Sequence, residues 1–234
     1  MSINESKMER IITVAVDGPA GSGKSSVCKN IALNKQFRYI DSGALYRSIT
    51  WFFIENKIDI IEGKDVSEFL HNIELMQHFN SDGTATSFVN GQDVSASIRD
   101  EIIVQKIGSV SDKIEVRKYV NDILRAWATT ESVIMDGRDI GTVVFPNANL
   151  KIYLDASVDI RASRRINEYR EMGKNVDEKS IKKQIILRDE QDRSRKYGAL
   201  VKADDALYCD TSSMTQIEVV AYITEIIDRK LKTI

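Results

Sequence analysis

The chain has 234 residues, of which 42 % are hydrophobic, enough for one globular domain with a sizeable core. Its 33 lysines and arginines nearly balance 35 aspartates and glutamates, and the net charge of −2 gives no support for a nucleic-acid-binding surface. Residues 1–9 form a polar leader without an apolar signal core, and no stretch approaches the roughly 18 apolar residues of a membrane span. We therefore expect a soluble, cytoplasmic protein.

The first part of the chain alternates short apolar strands with helices. Residues 11–16 form a β-branched run that predicts a buried strand, and a helix is expected from Lys24 to about Asn34. Residues 37–40 predict a second strand, and a second helix is expected from Gly43 onward. Cys28 falls in the first helix, far in sequence from Cys209, so we predict two reduced, buried thiols and no zinc site.

Residues 73–94 interrupt this alternation. Polar turn residues at 80–83 precede a strand-like stretch at 84–89, and Asn90-Gly91 is typical of a tight hairpin. We predict an antiparallel insertion here. His71 and His78 lie nearby without an acidic or cysteine partner, and we interpret them as solvated or packing side chains.

The remaining elements return to the first pattern. Helical periodicity covers about 102–129, and strands are expected at 132–135, 150–154 and 206–209. Five short apolar strands alternating with helices predict an α/β fold with a parallel sheet covered by helices on both faces.

The last helix is expected to begin with a capping box of Ser213 and Gln216. Its predicted apolar face consists of Ile217, Val220, Ile227 and Leu231.

Residues 18–25 fit the pattern G-x-x-x-x-G-K-S between a predicted strand and a predicted helix, the context in which this pattern is specific. Backbone N–H groups of such a loop point at phosphate oxygens, Lys24 reaches the β and γ phosphates, and Ser25 offers a hydroxyl to Mg²⁺. An ordinary glycine-rich turn is the alternative at this point. The predicted ATP-binding residues are Gly18, Pro19, Ala20, Gly21, Ser22, Gly23, Lys24, Ser25 and Ser26.

Guanine-nucleotide switches share the P-loop, and residues 56–59 read N-K-I-D, a guanine-binding signature of that class. The match comes too soon after the P-loop and follows a predicted helix, so we interpret it as a coincidence.

A second phosphate-binding group is expected opposite the P-loop. Residues 41–47 leave a strand and enter a helix, which places Arg47 where its guanidinium could fork onto a phosphate. Asp136 ends another strand on the edge where open α/β sheets bind ligands, and it could hold Mg²⁺ through water. A capped surface helix and a strand-end turn are the alternatives.

Two later helices are rich in arginine. Arg161, Arg164 and Arg165 share one helix face, as do Arg188, Asp192 and Arg195. Asp189 and Arg193 form a competing pair on the adjacent face, and periodicity cannot choose which face looks inward. Solvated basic faces with surface ion pairs would also explain both patterns.

Several segments together resemble bacterial-type cytidylate kinase, a P-loop nucleoside monophosphate kinase family, over roughly residues 11–232. They are DGPAGSGKS at 17–25, DSGALYR at 41–47, DGRDIGTVVFP at 136–146, RDEQDRSR at 188–195 and ADDA at 203–206.

The resemblance implies a role for each matching residue. Ser42, Arg188 and Asp192 would contact ribose, Arg47 and Arg138 the CMP phosphate, Arg117 and Asp139 the cytosine, and Arg195 the transferring phosphate. Gly108 stands where the family has a base-contacting serine, and Ser109 is the expected substitute. The implied catalytic set is Lys24, Arg138, Arg195, Arg161 and Arg165.

The resemblance also implies an architecture and a reaction. A P-loop NTPase-type core at 10–64, 101–157 and 182–234 would carry an acceptor-binding insertion at 65–100 and a helical lid at 158–181. Such an enzyme transfers the γ-phosphoryl group of Mg-ATP to CMP, with dCMP as a second acceptor, and we expect a monomer without nucleic-acid or membrane partners. A P-loop kinase with another acceptor and a nucleotide-dependent switch protein are the remaining alternatives.

Overall fold

The computed structural model describes residues 11–61, 63–81, 84–171, 173 and 177–232. Predictions for the leader at 1–9, for part of the turn at 80–83 and for Met172 and Lys174 lie outside the described residues. Within them, none of the helices is long and apolar enough to cross a membrane.

The central element is a five-stranded parallel sheet with strand order β2-β6-β1-β7-β8. Its strands are β1 (Thr13–Asp17), β2 (Arg38–Asp41), β6 (Val133–Gly137), β7 (Leu150–Asp155) and β8 (Leu207–Asp210). Each lies within a residue or two of the predicted strand, because short β-branched runs bounded by turn residues are a clear sequence pattern.

A second sheet is antiparallel, with strand order β3-β4-β5, and confirms the predicted insertion. Its strands are β3 (Leu75–Phe79), β4 (Ala85–Val89) and β5 (Gln92–Asp93). Asn90 and Gly91 connect β4 to β5 with φ angles of 50° and 79°, as the hairpin pattern predicted.

Eight helices occur in the described residues. They are α1 (Lys24–Lys35), α2 (Ser42–Glu55), α3 (Ser67–Leu70), α4 (Glu101–Ser111), α5 (Ile114–Trp127), α6 (Val158–Glu171), α7 (Glu178–Ser194) and α8 (Gln216–Leu231). A 3₁₀ turn at Ser97–Arg99 and a π-helical turn at Ile140–Val144 complete the backbone.

Helices cover both faces of the parallel sheet, as expected. Alternate residues of β1 point to opposite faces: Val14 and Val16 join the core under α1 and α8, whereas Ala15 joins the core under α2, α4 and α5. Both cysteines are free and buried, which confirms the predicted buried thiols.

The helical stretch predicted over about 102–129 is present and consists of two helices. α4 ends at Ser111 and α5 begins at Ile114. Lys113 extends its ammonium group to the carbonyl oxygens of Ile61, at 2.6 Å, and Lys64. Asp112 ion-pairs with Arg195 of a distant segment. The two residues between α4 and α5 thus make tertiary contacts instead of continuing the helix.

The predicted start of the last helix is corrected. The capping box is formed by Thr215 and Glu218, not by Ser213 and Gln216: Thr215 Oγ1 accepts from Glu218 N at 3.3 Å, and Glu218 Oε2 accepts from Thr215 N at 2.8 Å. Of the predicted apolar face, Ile227 is buried and Val220 and Leu231 pack against the core, but Ile217 is 82 % exposed. The fully buried positions are Val219, Ile223 and Ile227.

Candidate functional site

A cleft of about 310 Å³ opens where β1, β2 and β6 end. Because these strands are parallel, their carboxyl ends meet at one edge of the sheet. Of the predicted site residues, it is lined by Ala20, Gly21, Lys24, Ser25, Ser42, Arg47, Arg117, Asp136, Arg138, Asp139, Arg165, Arg188 and Arg195. One surface therefore collects side chains from most of the segments that carry the resemblance.

The P-loop joins β1 to α1 in a conformation that depends on glycine. Gly18 has a φ of 157°, and a β-carbon there would lie 2.0 Å from the carbonyl oxygen of Leu154. Gly23 has a φ of 87° and is the N-cap of α1. The next residues, Lys24 and Ser25, line the cleft, so the amino end of that helix faces it. Ser26 is exposed on the first turn and does not line the cleft.

Lys24 is buried beneath this loop. Its ammonium group donates to the carbonyl oxygen of Pro19 at 2.9 Å. Burial, followed by repulsion from Arg138, lowers the pKa of Lys24 to about 7. A bound polyphosphate would favour the charged form, so Lys24 is suited to an anionic ligand.

Asp136 and Ser25 bring two side-chain oxygens that could bind a metal ion to the lining of the cleft. Ser25 Oγ donates to Asp136 Oδ2 at 2.7 Å, and the Tyr39 hydroxyl donates to Asp136 Oδ1 at 2.7 Å. Burial and the nearby Asp41 carboxylate raise the pKa of Asp136. A hydroxyl and a carboxylate suit Mg²⁺, which takes few protein ligands and completes its shell with phosphates and water. The described residues hold no cluster of three or more His, Cys, Asp or Glu side chains placed for a metal ion.

Asp192 is the centre of an arginine cluster. Its carboxylate lies 2.7 Å from Arg138 Nε, 3.2 Å from Arg188 Nε and 2.6 Å from Arg195 Nη2, and its side chain is 0 % exposed. Despite burial, the three guanidinium groups lower the pKa of Asp192 to about 2. Asp192 therefore orders three arginines that come from two segments of the chain.

Arg47 is placed on the acceptor side by α2. Its Nη2 lies 3.0 Å from Asp41 Oδ2, and Asp41 also caps α2 by accepting from Ala44 N at 2.9 Å. Ser42, the first residue of α2, donates to the carbonyl oxygen of Asp136 at 2.7 Å. The helix end and the Arg47 side chain are thus held by the same carboxylate.

Arg117 and Asp139 form a buried pair at the far end of the cleft. Arg117 Nη2 lies 2.6 Å from Asp139 Oδ1, and the guanidinium lies over the ring of Tyr46 at 5.3 Å. Within the described part of the chain, Arg117 Nε and Asp139 Oδ2 have no hydrogen-bond partner. Gly198 packs against both atoms, since a β-carbon on it would lie 2.4 Å from each of them.

The predicted substitute for the family's serine is not at this end of the cleft. Ser109 is exposed and donates to the carbonyl oxygen of Lys106 at 2.8 Å. Ser111, one turn along from Gly108, lines the cleft instead, and its hydroxyl accepts from Arg195 Nη2 at 3.1 Å. Residues 107, 108 and 111 share a helix face, a signal that could have identified Ser111.

Asp17 is a buried residue that the sequence did not single out. Its carboxylate accepts from Ile140 N at 2.8 Å and from Gly141 N at 2.7 Å, directly after Asp139. Burial raises the pKa of Asp17 to about 7 even though both hydrogen bonds oppose the shift. The strand that leads into the P-loop therefore also holds the loop that carries Asp139.

The three arginines of α6 do not act as one face. Arg165 lines the cleft, while Arg164 donates to the carbonyl oxygens of Ser22 at 3.2 Å and Thr211 at 2.8 Å. Arg161 is buried and ion-pairs with Asp189 at 2.6 Å. Arg161 belongs to the implied catalytic set, and this buried position does not fit a direct contact of its guanidinium with the reacting phosphates.

Asp189 is buried, whereas the alternative interpretation of α7 placed it in a surface ion pair with Arg193. Its side chain is 3 % exposed, whereas Arg193, its supposed partner, is 52 % exposed and 4.0 Å away. Residues 56–59 follow the end of α2, and none of them lines the cleft, in line with a coincidental match.

Comparison with known proteins shows which family this chain is similar to. The family profile described as cytidylate kinase matches residues 14–229. A cytidylate kinase of Lactobacillus johnsonii is 42 % identical over 222 residues, covering 95 % of this chain and 96 % of the relative. Those of Bacillus licheniformis and Streptomyces avermitilis are 38 % and 39 % identical, over 95 % and 94 % of this chain and 99 % and 94 % of the relatives. The chain belongs to the cytidylate kinase family.

Proposed function

We propose that this protein transfers the γ-phosphoryl group of ATP to CMP, and also to dCMP, giving ADP and the corresponding diphosphate. Family membership supports the reaction, and the cleft that joins the P-loop to an acceptor-side arginine set carries the proposal. An oxygen of the acceptor phosphate attacks the γ-phosphorus in line while the ADP oxygen leaves. The protein positions the two phosphates and neutralises their charge.

The acceptor phosphate is assigned to Arg47 and Arg138, which line the cleft together with Lys24. Arg188 and Asp192 are assigned to the ribose, together with Ser42. Arg195 and Arg165 are assigned to the transferring phosphoryl group, where fixed positive charge stabilises the transition state.

Cytosine recognition is assigned to Asp139 and Arg117. Cytosine presents an amine donor at N4 beside acceptors at N3 and O2, and a carboxylate accepts while a guanidinium donates. Uracil reverses the pattern at two of these positions. Arg117 and Asp139 both line the cleft, and their ion pair fixes the directions of a donor and an acceptor, which supports this assignment. Ser111 replaces Ser109 as the nearby hydroxyl.

Magnesium is assigned to Ser25, with Asp136 acting through water. The bound ion would supply positive charge to the phosphate oxygens of ATP. Asp136 keeps Ser25 oriented through their hydrogen bond.

The division into a core, an acceptor-binding insertion at 65–100 and a lid at 158–181 is likewise a proposal. It is supported by the antiparallel sheet β3-β4-β5 and by Arg165, which reaches the cleft from α6. We further propose a cytoplasmic monomer that acts on free nucleotides rather than on nucleic acid.

An assay of ADP release across CMP, dCMP, UMP, AMP, GMP and shikimate tests the function. We expect CMP to have the highest kcat/KM, and we expect EDTA to abolish turnover. Faster turnover of AMP, GMP or shikimate would assign the protein to another acceptor. ATP binding without transfer to any acceptor would favour a nucleotide-dependent switch.

A further inference from the structure

Arg161 is fully engaged inside the protein. Its side chain is 2 % exposed, and Nε donates to the carbonyl oxygen of Ala156 at 2.9 Å. The two terminal nitrogens form a bidentate pair with Asp189, at 3.1 Å and 2.6 Å. A planar guanidinium held in this way has a fixed orientation.

The same guanidinium reaches the P-loop. Arg161 Nη1 donates to the carbonyl oxygen of Ala20 at 3.1 Å. Gly21, with a φ of 76°, lies so close that a β-carbon on it would be 3.3 Å from Arg161 Cβ. Arg161 therefore supports two consecutive P-loop residues, one by a hydrogen bond and one by packing.

The support spans three segments of the chain. Arg161 lies on α6, Asp189 on α7 and Ala20 between β1 and α1. To touch a phosphate instead, Arg161 would have to give up its contacts with Asp189 and Ala20. The buried carboxylate of Asp189 would then keep only the exposed Arg193, 4.0 Å away, which is costly.

We propose that Arg161 and Asp189 are positioning residues that hold the P-loop in its ATP-binding conformation, and that Arg161 does not contact ATP itself. This inference rests on the proposed function, since it assigns the two residues to the donor side of the same reaction. Lys24 and Ser25 act on ATP directly, and the Arg161–Asp189 pair sets the path of the loop that precedes them.

The test is Asp189→Asn, with Asp159→Asn as the matched control. Asp159 and Lys182 form a second ion pair between α6 and α7, but their side chains are 75 % and 48 % exposed. An asparagine at 189 can accept one N–H of Arg161 and opposes the other with its amide. We expect the dissociation constant of ATP, measured without acceptor, to rise about tenfold or more. The KM of CMP should stay within twofold, and the control should match the wild type.

The alternative, that Arg161 binds a phosphate of ATP, predicts a different result for this variant. If Arg161 is a phosphate ligand that Asp189 restrains, the substitution frees the guanidinium, and ATP binding becomes tighter or stays unchanged. Either outcome overturns the proposal. An equal loss of ATP and CMP affinity would also overturn it, because a general loss of structure does not distinguish the two sites.

A second variant guards against unfolding. Arg161→Met combined with Asp189→Leu replaces the buried ion pair by apolar groups, an exchange that proteins often tolerate. It keeps the packing and removes the hydrogen bond to Ala20, so ATP binding should still weaken; normal ATP binding in a folded double variant would overturn the proposal. Direct ATP binding separates this test from the proposed function, which fails only if the wild type does not phosphorylate CMP.

Discussion

Replacing Asp192 by asparagine should lower the free energy of unfolding, because the ionised carboxylate is surrounded by three arginines. The three guanidinium groups around this carboxylate lower its pKa from 3.8 to about 2. At about 1.4 kcal/mol per unit, the ionised form contributes about 2 kcal/mol to the free energy of unfolding at neutral pH. Because the folded pKa is depressed, this contribution is present above pH 3.8 and is lost as the pH falls towards 2.

The measurement is thermal unfolding at pH 7.5 in a buffer free of phosphate. For a chain of this size, about 2 kcal/mol corresponds to a fall in Tm of about 4–8 °C. Asp122→Asn is the matched control, because Asp122 pairs with Arg125 at 3.4 Å but its side chain is 77 % exposed, and such pairs contribute little. A Tm within 1 °C of the wild type would refute the reasoning.

Three further predictions concern other parts of the cleft. Lys24→Ala should reduce kcat by about 10²–10³-fold or more in a folded protein, and near-normal turnover would contradict the P-loop assignment. Asp17→Asn should change how the free energy of unfolding depends on pH. Between pH 3.8 and about 7, the Asp17 carboxyl is protonated in the folded wild type but ionised in the unfolded chain. The free energy of unfolding therefore falls by about 4 kcal/mol as the pH rises through this window. Chemical denaturation at pH 5 and pH 8 should show a shallower fall in the variant, and parallel curves would exclude Asp17 as the titrating group. Asp139→Asn should narrow the ratio of kcat/KM for CMP over UMP, because an amide can also donate to O4 of uracil. An unchanged ratio would remove Asp139 from base recognition.

The sheet was predictable from the sequence because its strands are short apolar runs and its helices follow turn residues. The sequence did not show the break within the helical stretch over 102–129. At this break, Asp112 ion-pairs with Arg195, and Lys113 donates to the carbonyl oxygens of Ile61 and Lys64. The periodic pattern of apolar residues does not depend on those distant partners, so it cannot indicate them.

The site was predictable only where a motif fixed a residue's role. The P-loop and the charged strand end at Asp136 lie together, as the sequence indicated. Asp189 could not be placed, because helical spacing allows either face of α7 to be buried. Its partner Arg161 is more than twenty residues away, on another helix, so the pair exists only in the fold.

The carboxylates in the cleft explain how so many arginines can face one another before a substrate arrives. Arg47 is held by Asp41, Arg117 by Asp139, and the cluster around Asp192 by that one side chain. Each pairing fixes a flexible side chain in place, so its ordering entropy is lost during folding rather than during the reaction.

A phosphate that enters the cleft therefore meets donors whose directions are already fixed, and it shares them with the resident carboxylates. Removing a carboxylate makes the cleft more positive but leaves its arginines less ordered, two effects of opposite sign on phosphate binding. Electrostatic stabilisation of a transition state depends on donors that do not need to reorganise. For turnover, order therefore matters more than net charge, and the acidic residues are as necessary to this cleft as the basic ones.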